Sequence, residues 1–170
     1  MEIKECSYAD IQALIEISTQ SYKEHYTYLW HDEGEGYMRS NFNYQQFEKE
    51  LSDLNSIFFL LYHDQKAVGL LKLNIDKAMN DYTPAESLEL ERIYFIKEAS
   101  GKGLGKETID FVIQFAKRRN KKRVFLKTMD GSMAMRFYEK QGFTSISETN
   151  LNYPNAKEEY KKMMIFCKEI

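Results

Sequence analysis

The chain has no surplus of positive charge: 24 Lys and Arg stand against 26 Asp and Glu in 170 residues, a net charge of −2. Without a general basic field there is nothing to draw in a nucleic acid. Cysteine is scarce as well. Cys6 and Cys167 lie near opposite termini, with no second pair and no ligand spacing, so no metal site is expected. They are expected to be ordinary half-buried thiols in neighbouring strands. Only two prolines and no Gly/Ser-rich stretch leave no linker, and no repeat is visible. A single domain over residues 1–170 is expected. No apolar run approaches membrane-spanning length, and Met1-Glu2-Ile3-Lys4-Glu5 carries no apolar signal region. That excludes a membrane partner from the reading and points to a reduced, cytoplasmic protein.

What is present is enough apolar residue, 43% of the chain with 14% aromatic, to build a real core. Residues 2 to 6 read as a first strand, followed by Ser7 as an N-cap with Asp10 three positions on. Ile11, Leu14, Ile15 and Ser18 then keep helical spacing, widened by Ala13 and Ile17, and the helix is expected to end near Tyr22. A loop rich in aromatics and acids, residues 26–36, leads to a second helical region through Tyr37, Phe42, Phe47 and Leu51, broken near Asn43. Residues 57–62 and 67–75 are strand candidates joined by His63-Asp64-Gln65-Lys66, a hairpin length. After a polar loop with Pro84 comes the strand Leu88-Glu89-Leu90-Glu91-Arg92-Ile93-Tyr94-Phe95. A helix from about Leu104 to Asn120, with Ile109, Val112, Ile113 and Ala116 on one face, precedes a strand at 123–128. A right-handed crossover makes that strand parallel to residues 88–95. Ser132 or Asp130 caps a further helix that Gly142 stops, and residues 144–148 and 159–168 close the chain as a strand pair. The basic run Lys117-Arg118-Arg119 with Lys121-Lys122-Arg123 reads as a solvated helix end that complements the dipole.

The densest signal lies between the strand at 88–95 and the helix after it. Gly101, Gly103 and Gly105 alternate there, letting the backbone turn tightly and approach a ligand without Cβ atoms in the way. The helix start adds N–H groups and a positive dipole end, which suits a pyrophosphate. Two common nucleotide loops fail on position. A dinucleotide fingerprint needs Gly where Lys106 stands, and a P-loop needs Ser or Thr where Glu107 follows Lys106. The segment instead resembles the Gln/Arg-x-x-Gly-x-Gly/Ala loop of the GCN5-related N-acetyltransferase (GNAT) family, with Gly103 and Gly105 as its glycines and Ser100 in the Gln/Arg position. A second segment, Ala134-x-x-Phe137-Tyr138-x-x-x-Gly142-Phe143, resembles that family's other signature, with Gly131 where Asn is usual. Residues 88–94 are also similar to the corresponding strand of the PaiA-type spermidine/spermine acetyltransferases of that family.

The resemblance implies an α/β (α+β) GNAT fold: a mixed, mostly antiparallel twisted sheet with splayed parallel central strands, in the order βααβββαβαββ. It implies acetyl-CoA as co-substrate, its pantetheine arm paired with Ile93, Tyr94 and Phe95. The rest of the cofactor falls to Ser100, Gly101, Lys102, Gly103, Leu104, Gly105, Lys106, Ser132 and Tyr138, with the pyrophosphate over 102–106. Acyl transfer to an amine then needs a base, an oxyanion donor and an acid for the leaving thiolate. An alkylammonium is protonated at neutral pH, and Glu89 and Glu91 alternate onto one strand face, so either is a candidate base acting through water. As the other possibility, both belong to the polar face of a half-exposed strand, paired with Arg92 or Lys72. Tyr138, with a phenol pKa near about 10, is the candidate acid. The acidic and aromatic loops, with Tyr28, Trp30, Glu33 and Glu35 foremost, suit a cationic small-molecule amine such as a polyamine. The same aromatics would equally serve as core packing, or as the surface of a homodimer if the chain is not a monomer. A protein N-terminus or lysine is the alternative acceptor. Because Ser100 and Gly131 depart from the signatures, a non-catalytic acyl-CoA-binding regulatory module is the alternative to an enzyme.

Overall fold

The computed structural model describes residues 1–170, packed as two compact units: Met1–Leu73 with Arg92–Leu104, and Asn74–Glu91 with Gly105–Ile170. In the first unit β1 (Glu2–Glu5) pairs antiparallel with β2 (Ser56–His63), from Glu2↔Tyr62 to Glu5↔Phe59. The Ser7–Asp10 capping box forms as the spacing predicts, closing a 3-10 turn at Tyr8–Asp10 that runs straight into α1 (Ile11–His25). The helix ends at His25, three residues beyond Tyr22, and its buried stripe runs from Ile11, Leu14, Ile17 and Ser18 to Ser21 and Tyr22. The second helical region is two short helices, α2 (Glu35–Asn41) and α3 (Tyr44–Ser52). Asn43 separates them by accepting the Gln46 N–H as the cap of α3.

The β2 hairpin to β3 (Lys66–Asn74) turns on Asp64 and Gln65, with φ of 50° and 63°, as a two-residue turn matched to strand twist requires. Gly69 lies in β3 where a Cβ would stand 2.5 Å from the Tyr94 carbonyl oxygen and 2.7 Å from the Phe95 ring. The next strand, β4 (Ser87–Phe95), contributes to both units.

In the second unit the first part of β4 runs parallel to β5 (Arg123–Met129), as the crossover rule predicts. The ladder covers only Ser87↔Arg123 to Leu90↔Leu126, while β4 continues to Phe95 and β5 to Met129. Between them lies α4 (Leu104–Arg118), whose Ile109, Val112, Ile113 and Ala116 are all buried. Helix α5 (Met133–Lys140) follows, capped by Ser132, whose hydroxyl accepts the Met135 N–H. β6 (Thr144–Asn150) and β7 (Lys162–Glu169) pair antiparallel with a bulge between Ser145 and Ser147, and β7 also pairs antiparallel with β5. The strand order is β1-β2-β3-β4-β5-β7-β6.

Two expectations change. Cys6 follows β1, which pairs with β2, whereas Cys167 lies in β7 between β5 and β6, so the thiols are not in neighbouring strands. Burial raises both, Cys6 to about 12, and keeps them as thiols. The second half of the basic run is not a solvated helix end either. Lys121 is buried and reaches Asp76 and the carbonyls of Ala85 (2.9 Å) and Pro84 (3.4 Å). Lys122 pairs with Glu86, and the Arg123 guanidinium stacks on the Tyr82 ring. Three consecutive cations thus clamp the 76–86 loop.

Candidate active site

In the first unit, Gly101 and Gly103 take the left-handed conformation (φ 76° and 79°), and a Cβ built on either would meet nothing within 4 Å. Ser100, Gly101, Lys102 and Gly103 are correspondingly exposed, whereas Leu104, at the helix start, is buried. An open, left-handed backbone before a helix N-terminus is what a pyrophosphate seat requires, and these residues fit the cofactor on that ground. Ile93, Tyr94 and Phe95 are half-buried. The Phe95 carbonyl accepts the Ser21 hydroxyl at 2.9 Å.

The aromatic loop divides. Trp30 is only 3% exposed and stacks on Tyr37 (5.0 Å), which stacks on Tyr22 (4.8 Å, 13° between planes). Tyr26 approaches Tyr94 at 5.6 Å. Burial raises both phenols, Tyr26 to about 12 and Tyr94 well above the usual range. Trp30 is therefore a packing residue, while Tyr28, Glu33 and Glu35 are exposed. Asp32 accepts the N–H groups of Gly34 and Gly36 and shapes the turn. Below this layer, Glu50 holds the Arg92 guanidinium through both oxygens (2.9 and 3.0 Å) and the Lys72 ammonium at 3.0 Å.

In the second unit, Glu89 and Glu91 do share one face. The Asn74 amide nitrogen donates to both, at 2.8 Å to Glu89 Oε2 and 2.7 Å to Glu91 Oε2. Lys127 pairs with the other oxygen of Glu89 at 3.1 Å, so the cation on Glu89 comes from β5. Neither Asn74 nor Lys127 stands out in the sequence, because their importance arises only when β3, β4 and β5 are laid side by side. Asp76 and Glu86, acids of the loop before β4, are engaged by Lys121 and Lys122.

Tyr138 is buried on α5. The end of that helix explains the Phe-Tyr-x-x-x-Gly-Phe spacing. Gly142, at φ 81°, donates to the Glu139 carbonyl (2.9 Å), and Phe143 donates to the Tyr138 carbonyl (3.1 Å). This is the paired bonding of a glycine-terminated helix, completed by a Tyr138–Phe143 ring contact at 5.9 Å. Ala134, the first residue of that motif, is exposed. Gly105 is in α4 rather than the loop, and a Cβ there would stand 3.2 Å from Phe137 Cζ. The last glycine of the first motif thus makes room for a ring of the second. Ser132 caps α5 and lies 3.4 Å from the Thr128 hydroxyl.

The model of the acetyltransferase (GNAT) family matches residues 13–143, and the chain belongs to that family. Membership of it makes the chain an acetyltransferase. An uncharacterized N-acetyltransferase in the pepI 3′ region of Lactobacillus delbrueckii subsp. lactis is 30% identical over 113 residues, 66% of this chain and 65% of that one. The spermidine N(1)-acetyltransferase of Thermoplasma acidophilum is 25% identical over 150 residues, 84% of this chain and 88% of that one. The fold is shared with the PaiA N-acetyltransferase from Thermoplasma acidophilum, solved in complex with coenzyme A, at TM-score 0.79 and 23% identity over 99% of this chain and 98% of that one. It is shared too with a probable acetyltransferase from Staphylococcus epidermidis, at TM-score 0.75 and 19% identity over 99% and 98%.

Proposed function

We propose that residues 1–170 act as one domain that moves the acetyl group of acetyl-CoA directly onto a primary amine of a polyamine such as spermidine or spermine. The observation that carries this reading is the pair of carboxylates, Glu89 and Glu91, held together by one amide where the β4–β5 ladder ends. The naming of a relative as a spermidine acetyltransferase supports the acceptor class. The exposed Tyr28, Glu33 and Glu35 supply aromatic and negative surface for a polycation.

In this reading the backbone of 102–106 holds the pyrophosphate, and Ile93 to Phe95 align the pantetheine arm. One carboxylate takes a proton from the ammonium, through water. The neutral nitrogen forms a bond to the acetyl carbon as the carbon–sulfur bond breaks. An N–H near Phe95 stabilises the transient oxyanion, the departing thiolate takes its proton from the Tyr138 phenol, and the acylated nitrogen gives up its extra proton to restore that phenol.

The test is release of free thiol from acetyl-CoA with spermidine, spermine, small diamines, an aminoglycoside and a lysine peptide. Release selective for the polyamines is the expected result. Preference for the lysine peptide would move the acceptor to protein, and acetyl-CoA binding with no release would replace the enzyme by a regulatory module.

A further inference from the structure

Resting on the reading above, we infer that Asn74 is a positioning residue for the catalytic base, that it divides the carboxylate pair, and that Glu91 is the base. Two carboxylates within reach of one nitrogen repel each other unless a donor stands between them. Here the Asn74 amide gives one N–H to each. A donor shared in this way fixes the spacing of the two carboxylates and the direction each one faces.

The two carboxylates are not equivalent. The Glu89 side chain is 5% exposed and carries donors on both oxygens, Lys127 on Oε1 and Asn74 on Oε2. It also sits inside the parallel ladder, opposite Phe125. A buried carboxylate already neutralised by an ammonium is a fixed counter-charge. Glu91 lies one residue past the last ladder pair, Leu90↔Leu126, and is half-buried rather than buried. It therefore stands where β4 leaves the ladder and an amine or its water can approach. Asn74 holds Glu91 in register with Glu89 without itself taking a proton.

The variants Asn74→Ala, Asn74→Asp, Glu91→Gln, Glu89→Gln and the double variant Asn74→Ala/Glu91→Gln test this, with kcat and KM measured for acetyl-CoA and spermidine. Asn74→Asp keeps the shape and loses the donor, so it remains informative if alanine opens a cavity. Both Asn74 variants should lose about ten-fold in kcat, a part of the roughly 10²–10⁴ that a base supplies, with KM for acetyl-CoA unchanged. In the Glu91→Gln background, Asn74→Ala should change kcat by less than about two-fold, because the interaction it serves is already gone. Wild-type kcat in Asn74→Asp, or an undiminished Asn74→Ala loss on top of Glu91→Gln, overturns the inference. So does a dead Glu89→Gln beside an active Glu91→Gln, which would leave the carboxylate-pair reading standing with Glu89 as base. If both glutamine variants turn over normally, or the wild-type chain acetylates none of the amines above, that reading fails and the inference with it.

Discussion

Tyr138 is held twice by the same short segment. Its carbonyl accepts the Phe143 N–H, and its ring rests on that residue's ring and, at 5.2 Å, on Phe137. A phenol fixed from both ends is suited to meet a leaving group without reorganising. Removing only its oxygen should leave the packing intact. Tyr138→Phe is expected to lower kcat by about 10²-fold, with acetyl-CoA affinity within a few-fold of wild type by calorimetry. Unchanged turnover would take Tyr138 out of the chemistry. Its placement at the end of α5 was legible in sequence because the glycine stop lies four positions away along the same chain. Asn74 was not, since its partners are 15 and 17 residues away on another strand.

Among the elements, β3 shows how one missing side chain sets an approach. The space a Cβ would need at Gly69 is filled by the Tyr94 carbonyl, a backbone atom that cannot swing aside. Gly69→Ala must therefore displace β4 at the segment that carries Ile93 to Phe95. A loss of about 1–3 kcal/mol in urea unfolding is expected, with a raised KM for acetyl-CoA. The larger elements were readable from local signals: the Ser7–Asp10 box, the Asn43 cap and the two-residue turn at Asp64-Gln65 each act within a few residues. Lys121 and Arg123 misled for the opposite reason. Their partners, Asp76 and Tyr82, come from a loop more than 40 residues earlier, and a run of cations looks the same whether solvated or clamped.

For the molecule as a whole, a buried charge pairing joins Glu50 to Arg92 and Lys72. Burial alone would raise the Glu50 pKa, but Arg92 and then Lys72 more than reverse this and hold it below the usual carboxylate range. Its folded pKa is depressed, so its contribution is complete above the unfolded value of about 4.3 and is lost as pH falls through the folded one. The melting temperature should accordingly drop as pH falls below about 4.3. Glu50→Gln, which strands two buried cations, should cost about 3 kcal/mol at neutral pH and flatten that acid limb. A retained slope in the variant would assign acid lability elsewhere. Lastly, the two outermost strands bear on how the molecule behaves in a crowd. β1 is four residues long with Glu2, Lys4 and Glu5 along it, and β6 is interrupted by its bulge. A short charged rim and a kinked one both discourage a foreign strand from adding on, so the sheet carries its own guard against filament growth.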